Sequence, residues 1–149
     1  MFKKICIIGC GLIGSSLARA IKKNELSTTI VSSNRSDAVN KKVIELKIVD
    51  DSSADTKKMA EGSDLIIIAT PLSSYENIIL KIKDSLKNGT ILTDVGSVKK
   101  NVINLVEKAV PRNVSWISSH PIAGTEESGP NAGFSELFKN KWCILTPSK

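Results

Sequence analysis

Four groups of residues in this chain have types and spacings that could do chemistry. The first is Gly9-Cys10-Gly11-Leu12-Ile13-Gly14, which places glycines at G-x-G-x-x-G spacing directly behind the apolar run of residues 5–8. Between a strand and a helix, such a turn can hold a dinucleotide pyrophosphate. Gly9 allows the tight turn, Gly11 lets the backbone approach the phosphates, and Gly14 lets the helix pack on the strand. The unpaired N–H groups at Leu12 and Ile13, with the positive end of the helix dipole, would face the anion. The second group is Ser32-Ser33-Asn34-Arg35-Ser36. It lies about 20 residues after the last glycine, where an acid usually takes a ribose 2′-hydroxyl. Asn34 would not repel a 2′-phosphate, and Arg35 with the hydroxyls of Ser33 and Ser36 could bind one by charge-assisted hydrogen bonds. A plain surface turn with Arg35 in water is the alternative. The third group is Thr70-Pro71, which closes the apolar run of residues 65–69. The fourth is His120, the sole histidine, with Ser97 upstream. A histidine beside a nicotinamide can accept the proton of a hydroxyl whose carbon gives up hydride. A lone histidine can equally be structural, and Ser97 can equally be a helix N-cap.

These groups need a scaffold, and the composition sets what kind. Hydrophobic residues at 41% and charged residues at 24% of 149 are ordinary for a water-soluble globular domain with its own core. The net charge of +6 comes from lysines scattered singly and in pairs, without the clustered basic footprint of a nucleic-acid binder. No apolar run approaches the roughly 18–20 residues that cross a bilayer. Lys3-Lys4 ahead of an apolar stretch superficially resembles a secretory leader, but glycines at fingerprint spacing break the stretch. Cys6, Cys10 and Cys143 form no Cys-x-x-Cys pair, which argues against a disulfide framework or a metal site and for the reducing cytoplasm.

Hydrophobic periodicity supplies the elements. Strands are expected at residues 4–8, 28–31, 65–69, 90–95, 114–118 and 141–146. The first helix is expected over 12–23, and a second from a Ser36 N-cap to about residue 46. Residues 50–61 are polar and weakly patterned, so a loop with a short helix is expected there. Ser73-x-x-Glu76 reads as a capping box opening a helix with Tyr75, Ile79, Ile82 and Leu86 on one face, stopped by Asn88-Gly89. Ser97 opens another, with Val98, Val102, Leu105, Val106 and Ala109 as its stripe. Apolar strands alternating with amphipathic helices imply an α/β fold: one domain over residues 1–149, a doubly wound, mostly parallel sheet of the Rossmann type. Ligands of such sheets lie beyond the carboxyl ends of the strands. All four groups are therefore expected to meet at one edge.

In order along the chain, residues 9–16, Thr70-Pro71, Asp94-Val95-Gly96-Ser97-Val98-Lys99 and the block from His120-Pro121-Ile122-Ala123-Gly124-Thr125-Glu126 to Gly129 resemble the prephenate and arogenate dehydrogenases of tyrosine biosynthesis. The closing segment, residues 142–147, is similar too. The resemblance implies NAD(P)-dependent oxidative decarboxylation of prephenate or arogenate, a small-molecule substrate. It makes His120 the catalytic histidine on the ring hydroxyl, with Ser97 orienting it near the nicotinamide. Thr125 and Glu126 then line the mouth of the substrate site. Many members carry Asp where this chain has Asn34, so NADP is favoured over NAD. The family continues into a helical domain that supplies a substrate-binding arginine and much of a homodimer interface. Residues 1–149 alone are therefore expected to bind dinucleotide without turnover and to expose an apolar patch. Two rivals stand beside this reading: a dinucleotide-sensing module without catalysis, and a different Rossmann-type hydroxy-acid dehydrogenase.

Overall fold

A computed structural model describes residues 1–147, with the side chains of residues 101–105 outside the described set. In chain order the elements are β1 (Phe2–Ile8), α1 (Leu12–Lys23), β2 (Ser27–Ser33), α2 (Asp37–Glu45), β3 (Asp51–Ser53), α3 (Thr56–Ala60), β4 (Leu65–Ile68), α4 (Tyr75–Ile82), β5 (Ile91–Asp94), α5 (Lys100–Ala109), β6 (Ser115–Pro121) and β7 (Cys143–Pro147). The strands form one sheet in the order β3-β2-β1-β4-β5-β6-β7. Pairing is parallel from β3 through to β6, and β7 runs antiparallel to β6. This is the doubly wound, mostly parallel sheet expected from the alternating pattern.

The period of two along β1 explains why helices cover both faces. Ile5 and Ile7 pack with Ala18 and Ile21 of α1 and Val43 of α2. Cys6 and Ile8 point the other way, into a cluster with Met59 of α3, Ile78, Ile79 and Ile82 of α4, and Val106 of α5. Strands buried on both sides read as continuous apolar runs, as residues 65–68 do. Among the described residues, no helix is long and apolar enough to cross a membrane.

Several local expectations are corrected. Residues 51–53 form the edge strand β3 instead of a loop. The Ser73–Glu76 capping box does not form, because a 3-10 turn over Leu72–Ser74 precedes α4 and Ser74 takes the N-cap position. The Ser74 hydroxyl donates to the Pro71 carbonyl at 2.7 Å and lies 2.8 Å from Thr70 Oγ1, so it ties the helix start to the end of β4. Ser97 is not the cap of α5, which starts at Lys100 with Lys99 in the N-cap position. Val98 lies before that helix and is 54% exposed, so it is no part of a buried stripe. Val102 and Leu105, assigned to the same stripe, lie outside the described residues. Ser36 does occupy the N-cap position of α2, without a side-chain capping bond. α4 ends at Ile82 and its trailing 3-10 turn at Ser85, so Leu86 lies past the helix and Asn88-Gly89 does not cap it. Gly89, at φ +79°, sits in the turn closed by the Thr90 N–H on the Lys87 carbonyl.

Candidate active site

The pairing register builds the site. Ser33, Ile8, Ile68 and Asp94 share one row across β2, β1, β4 and β5. The chain leaves the parallel sheet just past that row, at Gly9, Asn34, Thr70-Pro71 and Gly96-Ser97. His120 lies near the carboxyl end of β6, beyond the last β5–β6 pair, Thr93 with Ile117. Chain order reverses between β1 and β4, and the crevice at such a reversal is where doubly wound sheets take ligands. All four chemical groups therefore sit on one edge.

The glycine turn is tightly built except where a ligand would lie. Gly9 has φ +96°, and a Cβ there would stand 2.7 Å from Thr70 Cγ2 and 2.8 Å from the Ala69 oxygen. A Cβ on Gly14 would stand 2.0 Å from the Gly9 oxygen, so the helix must pack glycine on glycine. Nothing lies within 4 Å of a Cβ placed on Gly11. Gly11 is also the N-cap of α1, and the first turn holds no acid. A helix leaves its first N–H groups without helical partners, and Gly11 has no side chain to take them. Leu12 and Ile13 begin that turn. An open cradle rimmed by such donors fits a pyrophosphate.

The end of β2 differs from expectation. Asn34 is 7% exposed and turned inward. Its Oδ1 accepts from the Cys10 N–H at 2.6 Å, and its Nδ2 donates to Asn40 Oδ1 at 3.0 Å. Asn40 Nδ2 returns a bond to the Asn34 carbonyl at 2.9 Å, and Ser52 donates to Asn40 Oδ1 at 2.7 Å. Ser33 is also buried, its hydroxyl 2.9 Å from Thr56 Oγ1. The Asn34 amide thus braces the glycine turn at Cys10 and the Ser33 hydroxyl faces Thr56, so neither side chain stands at the exposed edge where a 2′-phosphate was expected. Arg35 and Ser36 remain exposed at the edge. The sequence reading missed Asn40 and Ser52. The available signal was a polar residue, Asn40, beside Val39 and three residues before Val43 on an otherwise apolar helix face.

At the other end, Ser97 is exposed and His120 is half-buried opposite Ile144 of β7. Asp94, fully buried, lies beneath both loops. Tyr75 reaches it at 3.2 Å, and burial together with that carboxylate raises the phenol far above its ordinary range. Thr125 lines an open cleft with Ile122, Phe134 and Lys141. Glu126 is exposed and lies outside that lining. The loop between β6 and β7 is fastened to α1. Phe134 N–H donates to Ser16 Oγ at 3.1 Å, Arg19 donates to the Pro130 carbonyl at 3.3 Å, and Lys23 pairs with Glu136. That pairing holds the Glu136 carboxyl down at about 2. Burial pushes the Cys6 thiol up to about 12 and the Cys10 thiol up to about 11.

Comparison with known proteins bears on this geometry. Residues 17–149 match the family described as prephenate dehydrogenase, nucleotide-binding domain. A cyclohexadienyl dehydrogenase of Zymomonas mobilis is 37% identical over 147 residues, which are 99% of this chain and 50% of that protein. A prephenate dehydrogenase of Lactococcus lactis is 37% identical over 97% of this chain and 41% of its own length. The crystal structure of prephenate dehydrogenase from A. aeolicus, in complex with hydroxyphenyl propionate and NAD+, superposes with a TM-score of 0.91 at 26% identity. It covers 100% of this chain and 52% of that one. The chain thus spans about half the length of the curated relatives it matches. Family match, fold and edge geometry agree, and the chain belongs to the prephenate dehydrogenase family, of which it carries the nucleotide-binding domain.

Proposed function

We propose that this chain carries the cofactor half of an NAD(P)-dependent dehydrogenase that oxidatively decarboxylates prephenate or arogenate. The observation that carries the reading is that Ser97 and His120 leave neighbouring strands at the same edge as the glycine turn. The first turn of α1 holds the pyrophosphate through its free N–H groups, with Gly11 leaving room for it. Arg35 and Ser36 face the adenosine ribose, and their lack of an acid favours NADP over NAD. Thr70 and Pro71 close the crevice floor between the two halves. When bound, the oxidised nicotinamide supplies the hydride acceptor. His120 accepts the ring hydroxyl proton on an imidazole nitrogen as the carbonyl forms, and Ser97 keeps the ring of that histidine in line. The imidazole must be neutral to do so. Loss of the ring carboxylate as CO₂ leaves an aromatic product, so the substrate supplies the driving force and the protein supplies position. Thr125 and Glu126 sit at the mouth of the substrate cleft. A homodimer joined through the remaining half of the enzyme, working in the cytoplasm, completes the proposal. The free thiols of Cys6, Cys10 and Cys143 fit a reducing compartment.

The test is His120→Asn in the full-length protein. It should lower kcat by about 10²–10⁴, the share of a positioned acid–base group, and leave the dinucleotide Kd within twofold. Wild-type turnover in the variant sinks the assignment. Joint loss of turnover and dinucleotide binding means that His120 is structural.

A further inference from the structure

We infer that Asp94 and Lys99 form a positioning pair that sets His120 and Ser97 against each other; the inference rests on the proposed roles of those two residues. Backbone pairing between β5 and β6 stops at Thr93 with Ile117, three residues short of His120. Past that point the Asp94 side chain takes over. Its Oδ1 accepts from the Ser119 N–H and the Ser118 hydroxyl, each at 3.0 Å. Its Oδ2 accepts from the Gly96 N–H at 3.0 Å. Lys99 Nζ spans both carboxylate oxygens at 2.9 and 2.8 Å, and also donates to the Ser119 carbonyl. That carbonyl belongs to the peptide plane joining Ser119 to His120, so its orientation sets where the His120 side chain leaves the strand. The Gly96 N–H belongs to the residue before Ser97. One carboxylate thus holds the residues preceding both functional side chains.

Two further observations point the same way. Gly96 sits so close that a Cβ would stand 2.5 Å from Leu72 Cδ2 and 3.0 Å from Asp94 Oδ2, so this loop has one seat against the carboxylate. Lys99 occupies the N-cap position of α5, where a cation opposes the helix dipole and makes no capping bond. Its placement is explained by its bonds to Asp94 and the Ser119 carbonyl. A buried ion pair adds little stability over apolar packing of the same volume. What this one adds is a fixed spacing between two loops.

The chain has a single histidine, so the His120 imidazole gives one Hε1–Cε1 signal in an NMR spectrum. The expected result in Lys99→Met is that this signal shifts and broadens or splits, while amide signals from β1, β2 and α1 stay in place. Lys99→Arg, which can still bridge Asp94 to the Ser119 carbonyl, restores one sharp signal. In the full-length protein Lys99→Met lowers kcat about 10²-fold, as for a small misplacement of reacting groups, with KM and dinucleotide Kd little changed. Should Lys99→Met fail to fold because Asp94 is left unpaired, the doubly neutral Asp94→Asn/Lys99→Met variant gives the same readout. A His120 signal identical to wild type in the folded variant overturns the inference. A moved signal with unaltered kcat supports positioning and overturns the catalytic reading of His120 instead.

Discussion

On the proposed reading, Arg35 would carry the coenzyme choice almost alone. With Ser33 and Asn34 turned inward, the exposed polar groups at the end of β2 are the Arg35 guanidinium and the Ser36 hydroxyl. Arg35→Ala is expected to weaken NADP⁺ by about 1.5–3 kcal/mol, the loss of a charged hydrogen bond, and to leave NAD⁺ nearly unchanged. Calorimetric titration of both coenzymes against both proteins decides it, and equal losses mean that Arg35 does not read the 2′-phosphate. The cysteines make a second residue-scale case. A thiol reacts as its thiolate. With values of about 12 for Cys6 and about 11 for Cys10, both are protonated at neutral pH as well as buried. Cys143 is exposed. Iodoacetamide should therefore add one adduct to the native protein and three to the unfolded one, counted by mass. Two fast native adducts contradict this packing. The inward turn of Asn34 also marks a limit of sequence reading. Its residue type is plain in the sequence. Its direction depends on Asn40, six residues on, and on Ser52 in a strand that polar residues conceal.

At the scale of elements, legibility follows burial. β1 and β4 must satisfy two apolar faces, so their runs announce them. β3 is Asp51-Ser52-Ser53 at the edge of the sheet, held by pairing to β2 and a Ser52–Ser32 hydroxyl contact at 2.7 Å, with no apolar pattern to show. The starts of α4 and α5 were misplaced for a related reason. Ser74 bonds back to Thr70 and Pro71, and Lys99 reaches Asp94 and the Ser119 carbonyl, instead of capping their own helices. The fastening of the β6–β7 loop to α1 was likewise invisible, because it joins residues more than a hundred positions apart. It has a sharp test. Gly133 has φ −71°, so an alanine there strains no backbone. Its Cβ would nonetheless stand 2.2 Å from Ser15 Oγ and 2.9 Å from the Ser16 nitrogen. Helix backbone cannot yield, so the loop must lift. Gly133→Ala should cost about 1–3 kcal/mol in urea unfolding, the range for an overpacked contact, and should speed proteolysis within residues 121–142. Gly124→Ala, with nothing within 4 Å, is the control. Equal midpoints for the two variants refute the clamp.

The whole molecule has a finished side and a bare one. From β3 to β5 the sheet is covered and its carboxyl edge is organised for a dinucleotide. β7 is exposed along its whole length, with Ile144 and Leu145 uncovered and Trp142 beside them 83% exposed. A polypeptide of residues 1–149 should therefore do one half of the work. It should bind NADP⁺, because the α1 turn, Arg35 and Thr70-Pro71 are all in place. It should not turn over prephenate or arogenate. None of the chain's arginines lies at the β5–β6 edge: Arg19 is on α1, Arg35 follows β2, and Arg112 precedes β6. Lys99 is already spent on Asp94. Lys141, in the lining of the Thr125 cleft, is exposed to water. Without a desolvated partner for the substrate carboxylates there is little binding energy to hold a ring against His120. The bare strand adds a physical consequence, since an uncovered apolar edge is a template for pairing with another copy. Sedimentation should show 1–149 associating as concentration rises. Ile144→Lys/Leu145→Lys should stay monomeric and still bind NADP⁺, because the α1 turn and Arg35, which would hold the pyrophosphate and ribose, lie several strands away from β7. A wild-type polypeptide that remains monomeric at every concentration would mean that β7 is not sticky, and steady turnover by residues 1–149 would mean that the substrate carboxylates find their partner within this half.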